Sequence, residues 1–130
     1  IEDLNLRLSI YRRISAIATD DEGNALSSEL IDRFGSLPVE LESLLTVMKI
    51  KRLCKLSCVE KVDVGPFGIV ITIRSKEVSD PSKILNAITK NPGWRLRENQ
   101  TILIKGNFEK AEVRLAKTLK VIQSLHEKLN

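Results

Sequence analysis

Residues 58–75 read "CVEKVDVGPFGIVITIRS", and this stretch decides what kind of fold the chain makes. Valines recur among charged residues from Val59 to Val64, strictly alternating from Val62, and a β-branched run follows from Ile69 to Ile73. Successive side chains of an extended strand point to opposite faces, so a period of two signals strands. "GPFG" sits between the two runs as a turn, and the spacing predicts a hairpin of residues 59–64 with residues 69–74.

Toward the N-terminus the period is helical. In "LNLRLSIYRRISAIA" the residues Leu6, Ile10, Ile14 and Ile17 recur at steps of three and four, with Arg7, Arg12 and Arg13 elsewhere on the wheel, which predicts an amphipathic helix. "TDDEGN" breaks that pattern with acids and a glycine and reads as a loop. A short second helix is expected over residues 27–34, capped by Ser27 or Ser28, with Leu26, Leu30, Ile31 and Phe34 on its apolar side and Gly35 as its stop. Pro38 suits the first position of a third helix, since its missing N–H would have had no intrahelical partner there. That helix, "PVELESLLTVMKIKRLCKLS", is expected to bury Leu41, Leu44, Leu45, Met48, Leu53 and Leu56. Its acids stand near the positive end of the helix dipole and its lysines near the negative end.

Toward the C-terminus, "SDPSKILNAITKNPG" predicts a short capped helix over residues 81–90 that "NPG" ends. "WRLRENQTILIKG" predicts a second hairpin with "ENQ" at its turn. "FEKAEVRLAKTLKVIQSLHEKLN" predicts a long helix with Leu115, Leu119, Ile122, Leu125 and Leu129 inward. The fold class is therefore α+β: an N-terminal three-helix unit over residues 1–57, then a β-β-α-β-β-α part over residues 58–130, packed as one compact domain.

Composition narrows the function. With 130 residues and 42% hydrophobic content, the chain has the size of one ordinary domain with a single core. Its apolar runs fall far short of the roughly 20 residues that span a bilayer. The first residue is isoleucine and no leader pattern precedes the first helix, so the chain is expected to be a fragment of a longer protein. Cys54 and Cys58 stand four apart with the single histidine, His126, far away, which is too little for a structural zinc site and reads as free thiols. Residues 1–64 carry 9 basic and 11 acidic side chains, whereas residues 65–130 carry 12 basic and 6 acidic. The second half could thus attract nucleic acid, although five aromatic residues are thin material for base stacking.

No nucleophile with a base, metal cluster or phosphate loop is visible, so no enzyme is expected here. Two charged clusters stand out. "SELIDRFGSLP", residues 28–38, gathers Glu29, Asp32 and Arg33 on one short helix that a glycine stop and then a proline restart follow. On residue chemistry alone they read as an ion-paired or solvated helix face, against an acid–base pair of Glu29 and Asp32. On the terminal helix, Lys110, Arg114 and Lys117, with Lys120, lie along one side as possible phosphate contacts, but Glu109, Glu112 and Glu127 interrupt the patch. Trp94 is either an interface anchor or packing over the core edge.

The order of these pieces resembles a known family. "DLNLRLSIYRRI", an acidic-glycine gap, "ELIDRFGSLP" and the helix "VELESLLTVMKIKRLCKL" running into "VEKVDVGPFGIVI" resemble the C-terminal domain of bacterial transcription-repair coupling factors, the Mfd family. The resemblance extends over essentially all 130 residues; it is most specific in "LRLSIYRRI" and "ELIDRFGSLP", and after Val59 the pattern of strands and helices carries it. It implies a large cytoplasmic bacterial parent that binds stalled RNA polymerase, translocates on DNA with an ATP- and magnesium-dependent motor, and recruits the repair ATPase UvrA. The implied role of this domain is non-catalytic and free of cofactors. It would fold back on the parent's N-terminal UvrB-like module, mask the UvrA-binding surface and restrain the translocase. Within "ELxDRFG", the charged residues that the resemblance assigns to that contact are Glu29, Asp32 and Arg33. The alternative is a nucleic-acid-binding module that uses Lys110, Arg114 and Lys117.

Overall fold

The computed structural model describes residues 3–78, 80–98 and 100–129. The chain divides into two compact units, residues 1–52 and 53–130, with the division inside the third helix.

The first unit is helical. Helix α1 spans Leu4–Ser15 and is capped by Asp3, whose carboxylate accepts from the Leu6 N–H at 3.1 Å. Helix α2 spans Asp20–Phe34, and α3 spans Val39–Leu56 and runs on into the second unit. Ile10, Ile14, Ile17, Leu26, Leu30 and Leu41 form the core, with Tyr11, Phe34, Leu44 and Met48 half-buried against it. Burying a leucine or isoleucine is worth about 1.5–3 kcal/mol, so these six are the main apolar support of the unit.

The expected loop "TDDEGN" is instead the first turn of α2, which starts seven residues earlier than the predicted Ser27 cap. The cap is Thr19: its hydroxyl accepts from the Glu22 N–H at 3.2 Å, while the Glu22 carboxylate accepts from the Ala18 N–H at 2.9 Å. This reciprocal arrangement satisfies amides that a helix start leaves open, and Asp20, Asp21 and Glu22 meet the positive end of the dipole. The acids thus begin a helix. Arg52 of α3 donates to Asp20 at 2.9 Å and ties that turn down. Pro38 lies one residue before α3, and its carbonyl accepts from the N–H groups of Leu41 and Glu42. Leu56, expected inward, is 63% exposed.

The second unit is a four-stranded antiparallel sheet with two helices. Strands β1 (Val59–Gly65) and β2 (Gly68–Ile73) form the first hairpin, and β3 (Trp94–Arg97) and β4 (Thr101–Lys105) the second. The hairpins join through β2 and β4, giving the order β1-β2-β4-β3. Ile69, Ile71 and Ile73 of β2 and Ile102 and Ile104 of β4 are buried, so the two central strands bury one apolar face, while Leu96 on the edge strand, paired with Ile102, is 49% exposed. Helix α4 (Ser82–Lys90) and helix α5 (Ala111–Leu129) pack on each other, and Ala87, Ile122 and Leu125 are their fully buried residues. Leu115, Leu119 and Leu129 are half-buried. Pro81 occupies the cap position of α4, but the capping bond comes from Asp80, which accepts from the Ser82 N–H at 3.0 Å. Of the expected "ENQ" turn, Asn99 lies outside the described residues.

The hairpin turn is two residues long, Pro66 and Phe67, between the paired Gly65 and Gly68. Gly68 is required by space: a Cβ there would lie 2.5 Å from the carbonyl oxygen of Ile104. The observed architecture is α+β, three helices followed by β-β-α-β-β-α.

Candidate interdomain-binding site

Helix α2 presents the candidate charges, and its ends are defined. Thr19 caps the start, and Gly35 ends it at a φ of 80°, where a side chain would be strained. At about 100° per residue, Leu26 and Leu30 point to the core, Glu29 and Arg33 fall on one flank, and Asp32 faces outward. The three span an arc of about 100° rather than a single line.

Glu29 is already engaged. The Arg13 guanidinium of α1 donates to both its carboxylate oxygens, Nη2 to Oε1 at 3.0 Å and Nη1 to Oε2. These hydrogen bonds hold the Glu29 carboxyl below the ordinary carboxylate range and raise the pKa of Arg13, with partial desolvation opposing both shifts. The ion pair expected from residue chemistry exists, but its cation is Arg13, not the neighbouring Arg33. Sixteen residues separate the partners, so only the packing of α1 against α2 brings them together.

Asp32 and Arg33 are exposed. Among the described residues Asp32 makes no ion pair or side-chain hydrogen bond, and Arg33 lies over the Phe34 ring, 5.1 Å from its centroid. Ile31, expected to point inward with Leu30 and Phe34, is 48% exposed. Its step of about 100° from Leu30 carries it off the core-facing direction. The free surface of α2 is therefore mixed: an acid, a cation and an isoleucine side by side in sequence.

The basic residues of the second cluster have a local task. Arg114 donates from Nε to the Phe108 carbonyl and from Nη2 to the Glu109 carbonyl at 3.4 Å. Lys117 donates to the Asn107 carbonyl at 2.5 Å and lies 5.3 Å from the centroid of the Phe108 ring. Both therefore clasp the segment between β4 and α5, while Lys110 is exposed. Trp94 is buried, the packing alternative. Cys54 and Cys58 are free thiols, and burial pushes the Cys54 thiol up. Among the described residues no cluster of histidine, cysteine and carboxylates could hold a metal ion, and no helix is long and apolar enough to cross a membrane.

Residues 1–84 match the family model described as the TRCF domain. The chain belongs to the transcription-repair-coupling factor family. It is 35% identical over 113 residues to the transcription-repair-coupling factor of Rickettsia conorii, covering 85% of this chain and 10% of that protein. With the factor of Escherichia coli K12 it shares 33% identity over 92 residues, 71% of this chain and 8% of that protein. The chain thus spans about a tenth of the length of the curated relatives it matches. In three dimensions this TRCF-family chain resembles the crystal structure of a transcription-repair coupling factor C-terminal domain, with a TM-score of 0.76 at 23% identity, over 98% of this chain and 83% of the other. That likeness shows the shared α+β fold.

Proposed function

We propose that this chain is the regulatory C-terminal module of a cytoplasmic transcription-repair coupling factor, and that it works by intramolecular masking. The outward surface of α2 docks on the parent's N-terminal UvrB-like module and covers the surface that would receive UvrA. The observation that carries this reading is the exposed trio Ile31, Asp32 and Arg33 on a helix fixed at both ends. An isolated charge pair in water contributes little, but Ile31 and Asp32, about 100° apart on the outward arc, can bury apolar area and pair a charge together, while Arg33, about 100° further round, meets the edge of the contact. Glu29 serves this surface by position: its bond to Arg13 ties α2 to α1 and leaves Asp32 and Arg33 as the direct contacts.

A latch of this kind must also open. A partner shifts a two-state equilibrium only by its differential affinity, so polar contacts worth a few kcal/mol suit release better than a large apolar interface. RNA polymerase and DNA would supply that differential affinity through the rest of the parent, whose ATP- and magnesium-dependent motor lies outside this chain. The test is the double substitution Asp32→Ala with Arg33→Ala in the full-length factor. UvrA binding and DNA-dependent ATPase activity should both rise while this domain stays folded. Unchanged values in both assays would show that α2 is not the masking surface.

A further inference from the structure

The most exposed aromatic side chain of the second unit stands at the tip of the first hairpin, where no part of the masking surface lies. Phe67 is 86% exposed, yet its backbone is held. Its carbonyl accepts from the Gly106 N–H at 3.0 Å and the carbonyl of Pro66 from the Phe108 N–H at 3.0 Å, so the turn is bonded to the segment after β4. Phe108 beneath is buried, and a Cβ on Gly106 would lie 2.9 Å from its ring, which leaves that segment little room to shift. A large apolar ring is thus displayed to water on a rigid support. Free side chains lose entropy on docking, and a support fixed in advance reduces that cost.

The same segment gathers cations. Lys105 pairs in register with Gly68 beside the tip, Lys110 is exposed, and Arg114 and Lys117 bond to the carbonyls of Phe108 and Asn107. Those carbonyls carry no net charge, so the bonds orient the cations without neutralising them. Residues 105–117 hold two acids, Glu109 and Glu112, against the four cations Lys105, Lys110, Arg114 and Lys117, so the stretch is net basic. Lysines are depleted in the cores of protein–protein interfaces but act readily as point charges toward phosphate. An exposed aromatic ring on a turn bonded to a cation-bearing segment matches a nucleobase joined to its own phosphates, and base faces are open only where a strand is unpaired. We infer that the Pro66–Phe67 tip, with Lys105, Lys110 and Lys117, binds single-stranded nucleic acid, Phe67 stacking on a base and the lysines meeting phosphates.

Fluorescence anisotropy with a labelled oligothymidylate of about 16 nucleotides, titrated against the 130-residue chain between about 50 and 200 mM salt, tests this. Three phosphate contacts should give a log–log salt slope of about −2. Phe67→Ala should weaken binding about tenfold with the slope unchanged, and Phe67→Trp should retain affinity. Lys105→Gln should reduce the slope by about 0.7. The inference is overturned if the oligonucleotide does not bind at the lower salt, or if Phe67→Ala binds like the parent. It is likewise overturned if a poly-glutamate peptide binds with equal dependence on Phe67, which would assign the tip to an acidic protein. None of these readouts involves UvrA or α2, so the masking reading stands or falls separately.

Discussion

Leu30 and Ile31 are neighbours in sequence and opposites in environment: the first is fully buried and the second half in water. Their contributions to stability should differ accordingly. Leu30→Ala removes buried methyl groups and leaves a cavity, and should cost about 2–5 kcal/mol in urea denaturation. Ile31→Ala should change the same measurement by no more than about 0.5 kcal/mol, while weakening the proposed docking on the N-terminal module. Glu29 differs again, because its charge is used within the domain. Its folded pKa is lowered by Arg13, so its stabilising effect is present above the unfolded carboxylate pKa and fades as pH falls through the folded value. Urea midpoints measured across the acid range should therefore fall less steeply for Glu29→Gln than for the parent.

At the level of elements, two local devices shape the two units. The first is the reciprocal cap at Thr19 and Glu22, which begins α2 at Asp20 rather than at Ser27. Thr19→Ala should cost about 1 kcal/mol and increase amide exchange at Asp21 and Glu22, whereas Ser27→Ala should leave exchange there unchanged. "TDDEGN" looked like a loop because acids and glycine punctuate chains, yet the same acids favour a helix start once a threonine precedes them. The pattern Thr-x-x-Glu was present in "TDDE" and carries the signal that composition obscured. The second device is Gly68, where β2 approaches β4 too closely for any side chain. Gly68→Ala would push a Cβ into the Ile104 carbonyl, and the strain should cost about 1–3 kcal/mol and lower the melting temperature.

For the whole molecule, the charge division of the sequence becomes a division of surfaces: the proposed latch belongs to the first unit, and the cations around Phe67 to the second. Asp32 and Arg33 are exposed, and a surface cation–π contact like that of Arg33 with Phe34 is worth about 0.5–1 kcal/mol, so the Asp32→Ala, Arg33→Ala double variant of this chain should stay folded and lose no more than about 1 kcal/mol. A change in UvrA recruitment by the full-length factor is then a change in docking, not in folding. The fold class, both hairpins and the outer helices were legible because periods of 2 and 3.6 are local properties, set by backbone geometry over a few residues. The TRCF relationship was legible for a similar reason, in contiguous runs such as "LRLSIYRRI" and "ELIDRFGSLP". What the tertiary structure decided is the use of each charge and of each flank: Glu29 bonds to Arg13, Ile31 faces water, Lys117 clasps the Asn107 carbonyl, and Phe67 stands on a bonded turn. These depend on contacts between residues remote in sequence, which no local period encodes, and on the direction from which a neighbouring helix or strand covers each face.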